Sequence, residues 1–491
     1  MSSIVINGDT SGSVTLQAPA IAGSTVVTLP TTSMNIGTGG GSVATNTAFG
    51  TSALAANTTG SYNVAVGINS LTANTTGTQN IGIGYALVAN TSGINNTAVG
   101  VSSMVANTTG GYNTAIGTEA LKANTTASNN TAVGYQASSS LATGSFTTTV
   151  GYFAGKTATD GYITAVGSSA ATSATSGYST LCAIGVNALA ANTTGIDNTA
   201  VGSYAPLGAN TTGAYNTAVG REALALNTTG STNVAIGRTC FYSNTTASNN
   251  TGIGHEAGYS NTTGANNTAL GQQALRSNTT ALNNTAVGFQ TLYTTTTGTG
   301  ENTALGMQAG FGLTTGSANI MVGYYSGTSY TTGTNNIIVG RGTNGSAAGN
   351  SGEIVIGTNT TGKGGSTAYI NAAGGGTYNG ANTTTWATTS DQRLKKNIAD
   401  NTEGLSKITG IRVRNFEYRI AEEVTDLPTH AVIDKQGVQL GVIAQELQTV
   451  LPDCVKTEST GVMSVDTDNL IWYLVNSIKE LKAEIDALKG A

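Results

Sequence analysis

The chain is poor in charge and in cysteine and lacks long hydrophobic runs, and each scarcity excludes a class of protein. Charged residues make up 9% of the 491 residues and hydrophobic residues 38%, a balance too apolar for a disordered polar tail. Cys182, Cys240 and Cys454 have neither the spacing of a zinc site nor that of a disulfide framework. No run of about 18 apolar residues occurs, so we expect no membrane insertion.

The N-terminus and the net charge limit where the protein is made and what it binds. Residues 1–5 are not a basic segment followed by an apolar core, so we expect no signal peptide and synthesis in a host cytoplasm. The net charge of −5, with no cluster of Lys and Arg, argues against nucleic acid as a partner. No residue pattern predicts a metal or another cofactor.

Glycine is abundant, with 67 residues, and much of it marks a repeat. A segment reading Asn-Thr-Ala-Val-Gly, or a close variant, occurs nineteen times at steps of 16 to 18 residues. We call its last residue the repeat glycine: Gly50, Gly67, Gly84, Gly100, Gly117, Gly134, Gly151, Gly167, Gly185, Gly202, Gly220, Gly237, Gly254, Gly271, Gly288, Gly306, Gly323, Gly340 and Gly357. A short fixed period predicts a solenoid in which each unit buries one face against the next.

Each unit combines a few apolar residues with turn-forming ones. An apolar residue precedes the repeat glycine, as at Val66 and Ile116, and another often follows four residues later, as at Leu54 and Leu121. The remainder is mostly Asn-Thr-Thr-Gly, so we predict two short strands and two turns per unit. Asn and Thr side chains stacked in register are expected to bond their equivalents in adjacent coils. At about 4.8 Å per stacked strand, nineteen coils would form a rod about 90 Å long.

The small apolar content of each unit favours an assembly of several chains. One or two apolar positions are few for a core built by one chain, and the Ala and Gly beside each Val would allow close packing around a shared axis. We therefore predict a homotrimer. The repeat resembles the left-handed parallel β-roll heads of trimeric autotransporter adhesins, whose units also carry an Ala-x-Gly core but are shorter. A single-chain β-helix is the alternative.

The N-terminal 40 residues differ from the repeats. Residues 14–19 and 24–30 are two β-prone runs that each end at a proline. Similar openings are common in virion fibre proteins, where this end attaches to the particle. We therefore expect residues 1–40 to bind other virion tail proteins, residues 41–357 to form the shaft, and residues 358–389 to form its distal tip.

An abrupt change in charge content marks a C-terminal domain. From Ser390 onward lie 12 of the 19 Lys and Arg and 16 of the 24 Asp and Glu. Lys395 follows Ser390 by five residues, and such a pair can act as nucleophile and base without histidine if the lysine loses its proton. At a domain boundary this pair suggests a cut in the chain itself. The alternative is that Ser390 and Asp391 cap a helix and that Lys395 and Lys396 form a solvated face.

From Ser390 the sequence resembles the intramolecular chaperone domain first described in phage endosialidases, a self-cleaving peptidase family. The likeness spans about 100 residues and rests on four ordered blocks, which are residues 390–398, 416–419, 441–447 and 464–466. The resemblance implies a small α+β domain that directs the assembly of a β-rich fibre and then removes itself.

The resemblance also implies roles for single residues. The family's motif serine corresponds to Ser390, which would attack the carbonyl of Thr389, and its lysine corresponds to Lys395, which would act as the base. The resulting ester would be hydrolysed by water in a single turnover; a cut on the other side of Ser390 is the less favoured variant. Asp391, Arg393 and Gln445 would either orient the dyad or hold the domain together.

Behind the fourth block, apolar residues alternate three and four apart. Thr467 or Asp468 can cap a helix there. The stripe predicts a short coiled coil that brings parallel chains into register, and it comprises Ile471, Leu474, Ile478, Leu481, Ile485 and Leu488. A long parallel β-rod assembles slowly and exposes strand edges, so a C-terminal clamp would assist it.

The sequence as a whole indicates a mainly β virion tail fibre: a homotrimeric parallel β-roll shaft followed by the α+β chaperone domain 390–491. In the tip, Tyr369, Tyr378 and Trp386 suit contacts with a host surface receptor, or they close the end of the rod. One alternative is a tailspike depolymerase, but the carboxylates of the shaft are too scattered to form a glycosidase pair, so we predict no activity there. The other is a bacterial surface adhesin, whose secretion signal and membrane anchor are not evident.

Overall fold

The chain divides into two compact units, residues 1–389 and 390–491. The computed structural model describes residues 36–159, 161–175, 180–371, 377–379, 387–388, 391–424, 433, 435–457 and 462–490. The division between the units falls at the residue where the charge content of the sequence changes.

The first unit is a parallel β-solenoid of nineteen coils, which confirms the predicted fold class. Each coil contributes one strand, and each strand pairs in parallel with the strand of the next coil, about 17 residues away, as Thr97 pairs with Thr114. Before the first coil, β1 (Ile36–Gly37) pairs antiparallel with β2. The coil strands, β2 to β20 in chain order, are Thr47–Phe49, Val64–Val66, Ile81–Ile83, Thr97–Val99, Thr114–Ile116, Thr131–Val133, Thr148–Val150, Ile163–Val166, Leu181–Ile184, Thr199–Val201, Thr217–Val219, Val234–Ile236, Thr251–Ile253, Thr268–Leu270, Thr285–Val287, Thr303–Leu305, Ile320–Val322, Ile337–Val339 and Ile354–Gly357.

The prediction of two strands per coil was wrong. Two and four residues after the repeat glycine, the backbone adopts the left-handed conformation, with φ of 58° at Ser52 and 51° at Leu54. A strand requires extended φ at successive residues, so this segment forms consecutive turns instead. The buried leucine that many units carry therefore enters the core from a turn, and Leu54, Leu71 and Leu121 are all fully buried.

The repeat glycine lies where the backbones of adjacent coils approach most closely. Gly67 has a φ of 126°, and a Cβ on it would lie 2.5 Å from the carbonyl oxygen of Gly84. Any other residue would be strained by the φ and would clash with the next coil. This steric constraint explains why one glycine recurs in every unit.

Asparagine fills much of the coil interior. In one ladder, the side-chain amide of each Asn donates to the side-chain oxygen of its equivalent in the preceding coil at 2.7 to 2.9 Å, as Asn74 donates to Asn57. These side chains are buried, with Asn74 and Asn227 fully so. The predicted bonding of Asn side chains between equivalent positions is therefore present, and it lies inside the rod.

A second asparagine ladder precedes the strands. Here the side-chain oxygen of one Asn accepts from the backbone N–H of the next, as Asn63 accepts from Asn80 at 3.0 Å. Because the two ladders and the leucines fill each coil, the coils close within one chain. The sequence analysis counted too few core residues per unit, because it placed these asparagines in turns. The number of chains in the shaft stays a prediction.

The distal end of the solenoid carries a buried carboxylate. Glu353 is fully buried at the next position of the second ladder, where its N–H donates to the side-chain oxygen of Asn336 at 2.9 Å. Its carboxylate accepts from the Tyr330 hydroxyl at 2.7 Å and from the Gly364 N–H at 3.0 Å. Burial and this carboxylate raise the pKa of Tyr330. These donors satisfy a charge that would otherwise be costly to bury.

Three further strands follow the coils. Strand β21 (Ala368–Asn371) pairs in parallel with β20, whereas β22 (Thr377–Asn379) is antiparallel to β21 and β23 (Ala387–Thr388) is antiparallel to β22. The change from parallel to antiparallel pairing ends the solenoid.

The second unit is a small α+β domain that ends in a long helix, as predicted. Its core consists of Leu447, Leu451 and Cys454, and burial raises the pKa of the Cys454 thiol. The helices are α1 (Leu405–Thr409), α2 (Ala444–Val450) and α3 (Leu470–Gly490), and the strands are β24 (Arg414–Phe416), β25 (Gln439–Gly441), β26 (Val455–Thr457) and β27 (Met463–Val465). Short 3-10 helices span Gln392–Leu394, Ala421–Glu423 and Pro452–Cys454 here, and Gly40–Ser42 in the first unit.

The first asparagine ladder leads to a prediction about the stability of the shaft. Asn227 donates to Asn210 and to the Gly230 carbonyl and accepts from Asn244, all within 2.9 Å. Asn227→Ala would leave the buried side-chain oxygen of Asn210 without its donor and would remove one of the two acceptors of the Asn244 amide, so we expect the shaft to lose about 2–4 kcal/mol. Scanning calorimetry should show a lower thermal midpoint.

The control variant is Thr229→Ala, two residues away on the exposed side of the same coil. Its thermal midpoint should equal that of the unmodified protein. Equal midpoints for Asn227→Ala and Thr229→Ala would show that the ladder does not stabilise the shaft.

Candidate functional site

The predicted cleavage site lies at the boundary between the two units. Thr389 and Ser390 are outside the described residues, so the site is built here from Asp391 onward. Asp391 caps the 3-10 helix Gln392–Leu394, because its Oδ1 accepts from the Arg393 N–H at 2.8 Å. Its carboxylate also pairs with the Arg393 guanidinium at 2.6 Å, which lowers the pKa of Asp391. These two residues thus fix the backbone direction directly after the predicted nucleophile.

Lys395 ends this short helix. Its N–H donates to the Gln392 carbonyl at 3.0 Å and its backbone is extended. The side chain is exposed in the single chain. A general base must be unprotonated, and desolvation is what drives a lysine to that state. The role of Lys395 as the base stays a prediction.

The strand that leads into the second sequence block contacts the third block through a strand pair and an ion pair. Strand β24 runs antiparallel to β25, with Arg414 opposite Gly441. Arg414 pairs with Glu446 on α2 at 2.7 Å, and this contact lowers the pKa of Glu446. A Cβ at Gly441 would lie 3.1 Å from the ring of Phe416, so glycine leaves room for that ring. Sequence analysis did not find this pairing, although Glu446 lies inside the third block.

Gln445 is exposed on α2, next to Glu446. Among the described residues no hydrogen bond joins it to Asp391 or Arg393. The three residues predicted to support the dyad therefore form two groups in the described structure: Asp391 with Arg393, and Gln445 apart from them. Their role in cleavage stays a prediction.

The fourth block leads into the terminal helix. Strand β27 pairs with β26, and the Asp466 N–H then donates to the Cys454 carbonyl at 2.8 Å. Asp466 also pairs with Lys456, which lowers the pKa of the Asp466 carboxyl. On α3, the Tyr473 hydroxyl donates to Asp453 at 3.0 Å. These contacts tie the start of α3 to the core of the domain.

Helix α3 packs on α1 yet leaves its apolar stripe uncovered. The Leu405 N–H donates to Glu480 at 2.7 Å, and the Asn476 amide donates to the Asn401 carbonyl at 2.8 Å. The predicted heptad residues are all exposed, with fractions of 42% or more: Ile471, Leu474, Ile478, Leu481, Ile485 and Leu488. A long apolar stripe in water favours contact with another helix.

The predicted receptor residues of the tip differ in their surroundings. Tyr369 is only 7% exposed and belongs to the core of the shaft, with the Lys363 ammonium over its ring at 4.8 Å. Its burial fits the alternative reading, in which the ring closes the end of the rod. Tyr378 lies in β22 but its side chain is outside the described residues, as is all of Trp386.

The described part of the shaft contains no arrangement that suggests other chemistry. Glu256 pairs with Arg276 at 2.8 Å, and Glu119 pairs with Lys122 at 2.8 Å. Within the described residues no three His, Cys, Asp or Glu side chains cluster as metal ligands, and no helix is long and apolar enough to cross a membrane.

Comparison with known proteins gives one match. Residues 390–456 match the family model described as chaperone of endosialidase, peptidase S74. The match begins at Ser390 and includes the first three blocks, whereas the fourth block and α3 lie beyond it. No curated protein and no solved structure matches the chain. The C-terminal unit is thus similar to the endosialidase-type chaperone domain, whose family is self-cleaving.

Proposed function

We propose that this chain is a virion tail fibre, a host-attachment appendage whose C-terminal unit directs assembly and then cleaves itself off at Ser390. One observation carries the proposal: the chaperone match begins at Ser390, directly after the charge-poor first unit ends. A long rod joined to a chaperone at a cleavable boundary fits a part that must assemble once and then function without its helper. Residues 1–40 would attach the fibre to other virion tail proteins.

The proposed chemistry is an acyl shift followed by hydrolysis. Ser390 Oγ attacks the carbonyl carbon of Thr389, and Lys395 takes the hydroxyl proton and passes it to the departing nitrogen. The C–N bond breaks, which leaves an ester between Thr389 and Ser390 Oγ and a free amine on Ser390. Water then cleaves the ester, which yields a carboxylate on Thr389 and restores the Ser390 hydroxyl.

Assembly would switch this chemistry on. Lys395 is exposed in the single chain, where its charged form is well solvated. Packing of three chaperone domains against each other would remove water from Lys395 and favour the neutral amine. Cleavage would then follow assembly and not precede it, so an unassembled chain would keep its chaperone.

The C-terminal helix supplies the contact that starts assembly. The exposed stripe on α3 would form a parallel coiled coil of three chains, which brings the ends of the three shafts into register. Parallel β-structure needs contacts between residues that are distant along the chain, so its nucleation is slow without such a clamp. The finished rod would persist through a high unfolding barrier.

The first prediction concerns the cut. The purified protein should consist of two fragments, one ending at Thr389 and one beginning at Ser390. Ser390→Ala and Lys395→Ala should each give a full-length chain that still assembles, because these groups serve the chemistry and not the clamp. Intact-mass spectrometry and light scattering measure the two properties separately.

Lys396→Ala is the matched control, since it removes the neighbouring charge and leaves the proposed base. It should be cut normally. Cleavage of Ser390→Ala at this junction would show that Ser390 is not the nucleophile.

The second prediction concerns the chaperone. A gene that lacks residues 390–491 should give aggregated or single-chain shaft, because the rod cannot nucleate efficiently. Removal of the same residues by cleavage after assembly should leave the fibre intact. Size-exclusion chromatography with light scattering compares the two products, and efficient trimer formation by the truncated gene product would exclude a chaperone role.

The third prediction concerns the host receptor. Once the chaperone departs, residues 358–389 form the new distal end, and Tyr378 and Trp386 there are suited to stack on sugars or to anchor a protein contact. Tyr378→Ala and Trp386→Ala should each weaken host adsorption. The number of chains in the assembled fibre and its thermal midpoint should stay unchanged. Unaltered adsorption by both variants would place the receptor contact elsewhere.

A further inference from the structure

The shaft has a continuous apolar row on the outer face of its parallel sheet. In each three-residue strand the middle residue points inward, as Ala98 does with no exposed surface, and the residues on either side of it point outward. We call the outward residue just before each repeat glycine the outer row. All nineteen of its members are apolar: Phe49, Val66, Ile83, Val99, Ile116, Val133, Val150, Val166, Ile184, Val201, Val219, Ile236, Ile253, Leu270, Val287, Leu305, Val322, Val339 and Ile356.

These side chains are in contact with water in the single chain. Ile116 is 41% exposed, Ile253 46% and Leu305 49%, and every other member is at least partly exposed. With strands about 4.8 Å apart, the row forms an apolar strip about 90 Å long. Monomeric proteins seldom leave so large a contiguous apolar surface uncovered.

The charged residues of the shaft avoid this face. The other outward position of each strand, two residues earlier, holds Thr, Val, Ile or, once, Cys182. No charged residue occupies either outward position in the nineteen described strands. The charged side chains lie in the turns instead, as Lys122, Arg221 and Glu256 do. An unbroken row of apolar residues without any charge is not expected of a face that water covers, because the outward residues of a solvated sheet face are usually polar.

We propose that the outer row is the face by which copies of this chain pack along the shaft, parallel and in axial register. The inference rests on the proposed assembly of several chains but goes beyond it, since a clamp at α3 alone would leave the rods separate. All-parallel sheets are almost always covered on both faces. The coil interior covers one face of this sheet, and the other face is the outer row.

A second copy fits this face better than an unrelated partner would. The apolar side chains recur once per coil over nineteen coils, and an identical chain has the same spacing along its whole length. The face is also narrow, because its two outward positions are only about 7 Å apart along a strand. Narrow strips from several chains can converge on one axis, whereas a single broad partner would find little surface beside the row. The uncovered stripe on α3 independently indicates parallel association.

The native cysteines allow a direct test. Cys240 and Cys454 are buried in the two cores, whereas Cys182 is partly exposed on the sheet face beside the outer row. Both test variants carry Cys182→Thr, because threonine is the residue most common at the equivalent position of the other strands. One new cysteine is then added at a time. Ile116→Cys places it in the outer row, and Thr126→Cys places it on an exposed turn ten residues later as the control.

Both variants are purified as the assembled protein and treated with a thiol reagent without denaturant. We expect Ile116→Cys to react at least tenfold more slowly than Thr126→Cys. The same difference in rate should remain in a protein that lacks residues 1–35. Equal reaction rates of the two variants would overturn the proposal. Slow reaction of Ile116→Cys that becomes fast when residues 1–35 are removed would also overturn it, since the chain's own N-terminus would then cover the outer row. Light scattering on the same samples separates the two claims: a single-chain mass contradicts the proposed assembly, whereas an assembly with a reactive Ile116→Cys contradicts only the assignment of this face.

Discussion

The shaft depends on the registered stacking of buried asparagines. Each ladder amide must find its equivalent one coil away, and each repeat glycine must lie against the next. A shift by one residue would place Asn74 against Ala56 or Thr58 instead of Asn57 and would break the ladder. The period of about 17 residues is therefore fixed by hydrogen bonding and not only by hydrophobic burial. Where Leu141 interrupts the ladder, the side-chain oxygen of Asn124 has no partner among the described residues.

This constraint explains which features could be predicted from the sequence. The repeat glycines reveal the number of coils and their parallel stacking, because the period of a solenoid is the spacing of one sequence motif. The single strand per coil could not be predicted, since a leucine at a φ of 51° contradicts the ordinary preference of that residue. The interior of each coil was underestimated because Asn57 and its equivalents were assigned to turns, although their side chains fill the core.

In the C-terminal unit the sequence blocks were easier to identify than their contacts. The order of the blocks predicted the domain type, and the family match includes three of them. The pairing of Arg414 with Glu446 joins residues 32 positions apart, and no local pattern indicates such a contact. The cap formed by Asp391 agrees with the structural alternative for that residue. Ser390 and Lys395 are then the two residues for which the prediction is a catalytic role.

Under the proposed function the two units would have complementary properties. The shaft would be stable once formed but slow to nucleate, and the exposed stripe on α3 would bring chains together. The account therefore requires that assembly precede the cut. The most direct test follows the unmodified protein during synthesis by native mass spectrometry, which reports chain number and cleavage in the same particle. The account predicts that cleaved shafts occur only in multimers and that single chains are full length; cleaved single-chain shafts at early times would contradict it.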